Sequence, residues 1–253
     1  IDGVISFTLC PDYLSGPTGA IVHHTLGLPK RCFTLSVEGA CNTFPLQMTL
    51  ADQAIRSGSM KRVLVITSVA YSRFCPVEAS IGAWMGDGAT AVVVGPVSEG
   101  RGILSYAHGT EGEGHRAMVL GIPKKRWYDE GRIIGYSEDK AMAQAIILGA
   151  VDRCKEVVTE ALDKVGLTPS DVDFYAGHQG GPWLRRVTQD FTGMHRARYL
   201  DTFKAFGNLG AANIPLILSM ASKEGLLRDG DLVATFSAGT GQTYSSLALR
   251  WGR

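Results

Sequence analysis

Residues 41–68, CNTFPLQMTLADQAIRSGSMKRVLVITS, and residues 208–237, NLGAANIPLILSMASKEGLLRDGDLVATFS, share one layout. In the first, Cys41 opens a helix through Ala51 and Ala54 that runs into a continuous apolar strand, Arg62 to Ser68. In the second, Asn208 opens a helix through Ala221 that runs into the strand after Asp231. A further strand precedes each: Ile1-Asp2 leads into an apolar run, and Val172-Asp173 leads into Phe174-Tyr175-Ala176. The spacing is similar, 40 residues from Ile1 to Cys41 and 36 from Val172 to Asn208. An internal repeat of this kind decides the fold.

Outward from the repeat, strands and helices alternate. Gly3 to Leu9, Phe33 to Val37 and Ala89 to Val94 read as strands, and Thr18 to Leu26 as a short helix. Continuous apolar strands separated by helices predict an α/β fold with a largely buried sheet and helices on both faces. From Asp139 to Val165 one long helix is predicted. Ile146, Ile147, Ala150, Val151, Cys154, Val157, Val158, Ala161 and Leu162 recur at steps of three and four. Residues 106–140 hold Gly-rich turns, the basic run Lys124-Lys125-Arg126 and Trp127-Tyr128. Two readings stand for them: an insertion lining a site, or a solvated connector. The expected organisation is an N-terminal half over 1–105, this insertion over 106–140 and a C-terminal half over 141–253. The second-half strand follows a long helix and the turn GLTPSD, whereas the first-half strand begins at residue 1. The expectation is that a leading strand–helix unit is missing, which would expose apolar surface and an unpaired sheet edge.

Composition narrows the function. Of 253 residues, 45% are hydrophobic and 19% charged, enough for a sizeable core, and the net charge of +1 argues against a dedicated nucleic-acid binder. No apolar run approaches the ~20 residues of a membrane span, and no charged n-region precedes an apolar segment. The five cysteines are scattered without a C-x-x-C pair, a pattern that suits a reducing cytoplasm and neither a disulfide framework nor a zinc site.

Four places carry candidate chemistry. Cys41 lies in VEGACNTF, after Gly39-Ala40, which permits a sharp turn. The positive end of a helix lowers a thiol pKa and favours thiolate. A free cysteine is also commonly a small buried apolar residue. Both readings stand for Cys41, and the second is taken for Cys10, Cys32, Cys75 and Cys154. His178, in YAGHQGGPW, follows a strand, and ligands bind at strand C-terminal ends. There it donates a hydrogen bond or shuttles a proton near neutral pH, and Gly180-Gly181 lets another molecule approach the backbone. His108, placed in a loop, is read as structural or solvated. Asn208 is a helix N-cap whose amide also points into the Cys41 cleft. The turn from Ser237 to Gly241 is either an ordinary hairpin or a set of N–H groups aimed at an oxyanion. Gly86-Asp87-Gly88-Ala89 is a structural turn. No metal-ligand spacing, phosphate loop or G-x-S-x-G elbow is present in the sequence, so no metal is expected.

Taken in order and spacing, Gly39-Ala40-Cys41, Gly86-Asp87-Gly88-Ala89, Gly177-His178-Gln179, Gly207-Asn208 and the Ser237–Gly241 turn resemble the β-ketoacyl-acyl-carrier-protein synthase III enzymes of the thiolase superfamily. The resemblance runs over essentially the whole chain. It implies a thiolase-like duplicated α-β-α-β-α fold of five layers, a homodimer or a heterodimer with a homologous subunit, and a further N-terminal segment, here missing or held as a separate piece. It implies Cys41 as the acyl-accepting nucleophile, with His178 and Asn208 completing a catalytic trio. The backbone N–H groups of Cys41 and Thr240 would form the oxyanion hole. Gly180, Gly181, Trp183, Met85 and Glu38 would meet substrate. No cofactor is required, because coenzyme A or phosphopantetheine thioesters are substrates, brought as acyl-CoA or on acyl carrier protein.

The chain departs from the family at several points. Gly181 stands where the family carries an Asn that helps hold the pantetheine arm or the substrate, Trp183 where it carries an Arg that meets coenzyme A or the carrier protein, and the aromatic gate of the acyl pocket falls near Gly16. Glu38 replaces a small residue, and a carboxylate near the thiol would raise its pKa. The expected function is therefore an acyl-thioester-dependent condensing enzyme, an acyltransferase in class, in specialised-metabolite or polyketide biosynthesis. Two alternatives are kept: transfer of the acyl group from Cys41 to a hydroxyl or amine, and a non-catalytic partner of an active homologue.

Overall fold

The computed structural model describes residues 1–76 and 82–252, and among them the apolar runs form two four-stranded sheets and a small hairpin. The first half supplies β1 (Gly3–Thr8), α1 (Thr18–Thr25), β2 (Phe33–Ser36), α2 (Thr43–Arg56), β3 (Val63–Ala70) and β4 (Asp87–Val94). Its sheet has the order β2-β1-β3-β4, with β1 parallel to β2 and β3, and β4 antiparallel to β3. Next come β5 (Gly102–Thr110), the hairpin of β6 (Val119–Gly121) and β7 (Ile134–Tyr136), and the helices α3 (Lys140–Leu148) and α4 (Ala150–Asp163). The chain continues through β8 (Phe174–Gly177), α5 (Leu184–Thr192), α6 (Phe203–Phe206), α7 (Asn213–Lys223), β9 (Leu232–Gly239) and β10 (Thr243–Arg250). The second sheet has the order β5-β10-β9-β8, with β8 parallel to β9.

Strand periodicity assembles these elements into layers. Successive residues of a strand face opposite sides of a sheet. Ile5 and Val65 therefore face one side, where they are buried with Phe44 and Ala51 of α2 and with Ile214 and Ile217 of α7. Phe174, Ala176 and Val233 of the second sheet close on the same cluster from the other side. Val4 and Leu64 face outward, packed with Val22 of α1. The outer face of the second sheet carries α4, whose stripe Cys154, Val157, Val158, Ala161 and Leu162 is buried with Tyr175, Ala234 and Phe236. Each large side chain so buried contributes about 1.5–3 kcal/mol. The sequence of layers is helix, sheet, paired helices, sheet, helix: the duplicated five-layer α/β arrangement that the resemblance implies.

Three expectations change. The long helix over 139–165 is two helices, divided at Gly149. Arg153 of α4 crosses over that glycine to pair with Glu111, so closely that a Cβ at 149 would lie 1.9 Å from its Nη1. The expected division at 105/106 falls inside β5, which pairs along its length with β10 of the second sheet. Residues 106–140 thus begin in a core strand, which also carries His108, placed in a loop from sequence; its Nδ1 lies 3.0 Å from Ser245 Oγ. Finally, Asn208 does not open α7, which starts five residues later after a 3-10 turn over Gly210–Ala212.

Candidate functional site

Cys41 sits in a 3-10 turn, Ala40–Asn42, that feeds directly into α2. Ala40 adopts a positive φ of 49°, costly for a residue with a Cβ. The turn is pinned from several sides. Ala40 N–H donates to Glu38 Oε1 at 2.9 Å, Gly39 N–H donates to Thr43 Oγ1 at 3.0 Å, and Ser237 Oγ donates to Cys41 O at 2.7 Å. Asn42 Nδ2 reaches Ser245 Oγ at 2.9 Å and Thr243 Oγ1 at 3.2 Å. The β9–β10 hairpin therefore locks onto the turn, and Gly239 allows the contact: a Cβ there would lie 2.2 Å from Gly39 O.

His178 follows β8, its N–H donating to Phe236 O at 2.7 Å. Its ring is buried, and Nδ1 has no hydrogen-bond partner among the described residues. Burial pushes its pKa down to about 4, against a smaller opposing pull from the Asn213 side chain and the Gly210 backbone. The His178 ring therefore stays neutral well below the pH at which an ordinary imidazole takes up a proton. Asn208 is set by two backbone bonds, Asn208 N–H to Trp84 O at 2.7 Å and Gly86 N–H to Asn208 O at 3.0 Å. Its Oδ1 accepts from Gly210 N–H at 2.8 Å, which commits the amide oxygen and leaves the NH2 as the available donor. Gly86 makes this close approach possible, since a Cβ there would lie 1.9 Å from Phe206 O.

These segments converge on one cavity of about 520 Å³. Cys41, His178, Asn208, Thr240 and Met85 line it together with Gly180, Gly181 and Trp183, so most residues expected from sequence meet in one place. Trp84 and Trp183, 44% and 37% exposed, stand at its rim. Glu38 does not line it. Its carboxylate holds the Ala40 N–H, and its charge is a minor influence on Cys41. The Cys41 thiol pKa lies above its ordinary value, where a helix end alone would lower it. Burial pushes it up, opposed by the hydroxyl of Tyr71, whose oxygen lies 3.5 Å from Sγ. Burial likewise holds the Tyr71 phenol protonated.

Several lining residues were not anticipated: Phe236 and Ala238 of β9, Met118 just before β6, Ala143, Ile146 and Ile147 of α3, and Gln242 of the hairpin. Tyr71, beside the thiol, was also missed, although it immediately follows β3, at the strand end where ligand-facing residues gather. Ile146 and Ile147 were read as core because periodicity does not tell a cavity wall from a packed interface. Among the described residues, no group of three His, Cys, Asp or Glu side chains gathers as a metal site, and no helix is long and apolar enough to cross a membrane.

Residues 35–112 match the family model of 3-oxoacyl-[acyl-carrier-protein] synthase III, and residues 162–251 match the model of its C-terminal region, together more than half of the chain. The chain belongs to the 3-oxoacyl-[acyl-carrier-protein] synthase III family. It is 31% identical over 254 residues to the β-ketoacyl-[acyl-carrier-protein] synthase III 1 of Halalkalibacterium halodurans, covering 100% of this chain and 77% of that one. The solved synthase III of Thermus thermophilus superposes with a TM-score of 0.88 at 28% identity, over 100% of this chain and 78% of the other. The priming β-ketosynthase of the R1128 polyketide pathway does so with a TM-score of 0.87 at 25% identity, over 99% and 75%. Synthase III enzymes are condensing enzymes of the thiolase superfamily, and the five-layer architecture described above is theirs.

Proposed function

We propose that this synthase III family member joins two acyl thioesters through an acyl-Cys41 intermediate. The convergence of Cys41, His178, Asn208 and Thr240, from four separate segments, on one cavity supports this reading. The Cys41 thiolate attacks the carbonyl carbon of an acyl thioester. The bond from that carbon to the donor sulfur breaks, and the donor thiol leaves with the proton Cys41 gave up. Backbone N–H groups of Cys41 and Thr240 hold the intervening oxyanion. A malonyl-type thioester then loses carbon dioxide. The electron pair of the broken bond becomes an enolate, whose oxygen accepts hydrogen bonds from His178 and the Asn208 NH2. The enolate carbon attacks the acyl carbonyl, the sulfur–carbon bond breaks, and Cys41 returns as thiolate.

The neutral state of His178 favours condensation over transfer to a hydroxyl or amine. A group with a pKa of about 4 is a weak base for an alcohol, whereas a neutral imidazole donates a hydrogen bond at pH 7. Gly180, Gly181 and Trp183 line the side on which the pantetheine arm of coenzyme A or of an acyl carrier protein enters. A role in polyketide or other specialised-metabolite biosynthesis is supported by the likeness to a priming ketosynthase and by the altered Gly181 and Trp183. The protein acts in the cytoplasm, as a dimer with itself or a homologous subunit. Val93 of β4, 60% exposed at the end of the first sheet, lies on a face that such a partner would cover.

Intact-protein mass spectrometry after exposure to acyl-CoA donors and to acylated carrier protein tests the reading. One acyl adduct per chain is expected, lost in Cys41→Ser. His178→Ala and Asn208→Ala should still load but release no carbon dioxide from malonyl thioester. An adduct that survives in Cys41→Ser, or none from any donor, would overturn it.

A further inference from the structure

Among the nine residues of α3, KAMAQAIIL, the only charge is Lys140 at its start. A helix so apolar is ordinarily buried on several sides, yet none of its residues is buried. Its last two, Ile147 and Leu148, are 49% and 70% exposed. Ile147 lines the cavity and Leu148 does not, so the exposed face of α3 begins at the cavity rim and runs outward. Trp183, just before α5, shares that rim. Trp84 meets it across Gly181, where a Cβ would lie 3.1 Å from the Trp84 ring and 3.4 Å from Trp183 Nε1.

The apolar surface continues along α4 and α5. Leu184 lines the cavity, and Phe191 lies about two turns further along the same face of α5. Phe191 is 48% exposed, with Lys155 Nζ 5.3 Å from its ring centre. Lys155 in turn lies about two turns beyond Leu148. Two helical faces therefore lead away from the cavity mouth together, and each carries a large exposed apolar side chain. The exposed charged residues on the same stretch are Asp152, Lys155 and Glu156 of α4 with Arg186 and Asp190 of α5. Both signs are interspersed, so no field of one sign covers this face.

An exposed apolar patch with a polar margin marks an interaction surface, and the position of this one selects its occupant. Gly180, Gly181 and Trp183 line the side by which the pantetheine arm reaches Cys41. In coenzyme A that arm ends in a phosphate-rich nucleotide, which gains little from exposed leucine and phenylalanine. In a carrier protein it ends in a folded surface, which must rest just outside the mouth. Resting on the acyl-Cys41 reading above, we infer that the face from Ile147 and Leu148 across Trp183 to Phe191 docks the carrier protein that delivers a thioester. The contact is apolar and not ionic. The carrier meets it with aliphatic or aromatic side chains, since acidic groups on the carrier would find acidic as well as basic neighbours here.

The experiment compares donors of one acyl group, the one that loads Cys41 fastest from coenzyme A. The group is offered on coenzyme A and on the phosphopantetheine of a fatty-acid-type and a polyketide-type acyl carrier protein. Second-order rates of Cys41 acylation are read by quenched intact-mass spectrometry. Wild type should load faster from one of the carrier proteins than from coenzyme A. Leu148→Glu and Phe191→Glu, both outside the cavity, should each slow loading from that carrier about tenfold. Loading from coenzyme A should stay within about twofold, which also reports that the variants fold. Leu148→Ser and Phe191→Ser repeat the test if a glutamate disturbs folding. Raising salt from about 0.05 M to about 0.5 M should change the wild-type carrier rate less than about threefold, because screening weakens ionic docking and spares apolar contact. A wild type that loads no faster from either carrier overturns the inference, as do carrier rates unchanged in both variants or falling steeply with salt. Equal slowing from both kinds of donor overturns it by assigning the patch to the fold or the arm. A change of oligomeric state in the variants, by light scattering, overturns it by assigning the face to a second copy of the chain. Failure of the underlying reading looks different, because no donor then leaves an adduct on Cys41, and the inference falls with it.

Discussion

Acidification probes the protonation state on which the condensing reading rests. The ordinary pKa of the His178 side chain is 6.5, and burial in the folded protein lowers it to about 4. Between these values the unfolded chain binds a proton that the folded protein refuses. Stability linked to His178 is therefore complete above about pH 6.5, falls as the pH drops, and is lost in full once the pH is below about 4. The difference of about 2.5 pKa units corresponds to roughly 3 kcal/mol overall, of which about 2 kcal/mol is already lost between pH 7 and pH 5. The control is His178→Gln, which keeps a polar side chain and does not titrate. Urea unfolding followed by tryptophan fluorescence, at pH 7 and pH 5 and one protein concentration, gives the comparison. Wild type should lose about 2 kcal/mol more than His178→Gln across this interval. Groups elsewhere titrate in both proteins and cancel. Equal losses within 0.5 kcal/mol, on the order of the additivity error for separate sites, would refute the reasoning. So would a titration of the His178 ring by NMR near its ordinary value, which would restore a proton shuttle and with it the hydroxyl-acyl transfer reading.

Three further perturbations follow from the geometry. Tyr71→Phe removes the hydroxyl 3.5 Å from Cys41 Sγ, so the thiol pKa should rise further and alkylation by iodoacetamide near neutral pH should slow. An unchanged pH profile of alkylation would show that the phenol only fills space. Gly239→Ala places a Cβ 2.2 Å from Gly39 O and 3.0 Å from Asn42 N. It should cost about 1–3 kcal/mol in chemical unfolding and sharply slow acylation, since the hairpin must move off the Cys41 turn. Arg185 donates to both oxygens of Asp201 at 2.8 Å and stacks 3.6 Å from the Tyr199 ring centre. Arg185→Ala should cost about 1–2 kcal/mol of stability and leave Cys41 acylation unchanged, because Arg185 does not line the cavity.

Strands and the repeat were legible because they depend on local pattern. The run Val63 to Ser68 is apolar at every position but its last two, which marks a strand buried on both faces, and β3 follows it. The break at Gly149 was not legible. An apolar face continues through Ile146, Ile147, Ala150 and Val151, and only the structure shows the helix dividing at Gly149, with Arg153 passing over it to Glu111. The membership of β5 in the second sheet was hidden for a related reason: a strand's partner depends on topology, and residues 102–110 pair with residues more than a hundred positions away. Cys41, His178, Asn208 and Thr240 stood out by neighbours in sequence, through glycines and strand ends. Tyr71 and Gln242 had no such mark, because their meaning lies in what surrounds them.

The sequence by itself determined the duplicated α/β architecture, since repeat and periodicity are written in local order, and its resemblance supplied the family and part of the cavity lining, Cys41, His178, Asn208 and Thr240 among it. Only the tertiary structure decided their physical state. Packing lowers the pKa of His178 to about 4, raises that of the Cys41 thiol against the pull of the Tyr71 hydroxyl, and leaves the Gln242 amide without a partner among the described residues. Desolvation and hydrogen bonding depend on every atom brought within a few ångströms by distant parts of the chain, and no local stretch of sequence contains that information.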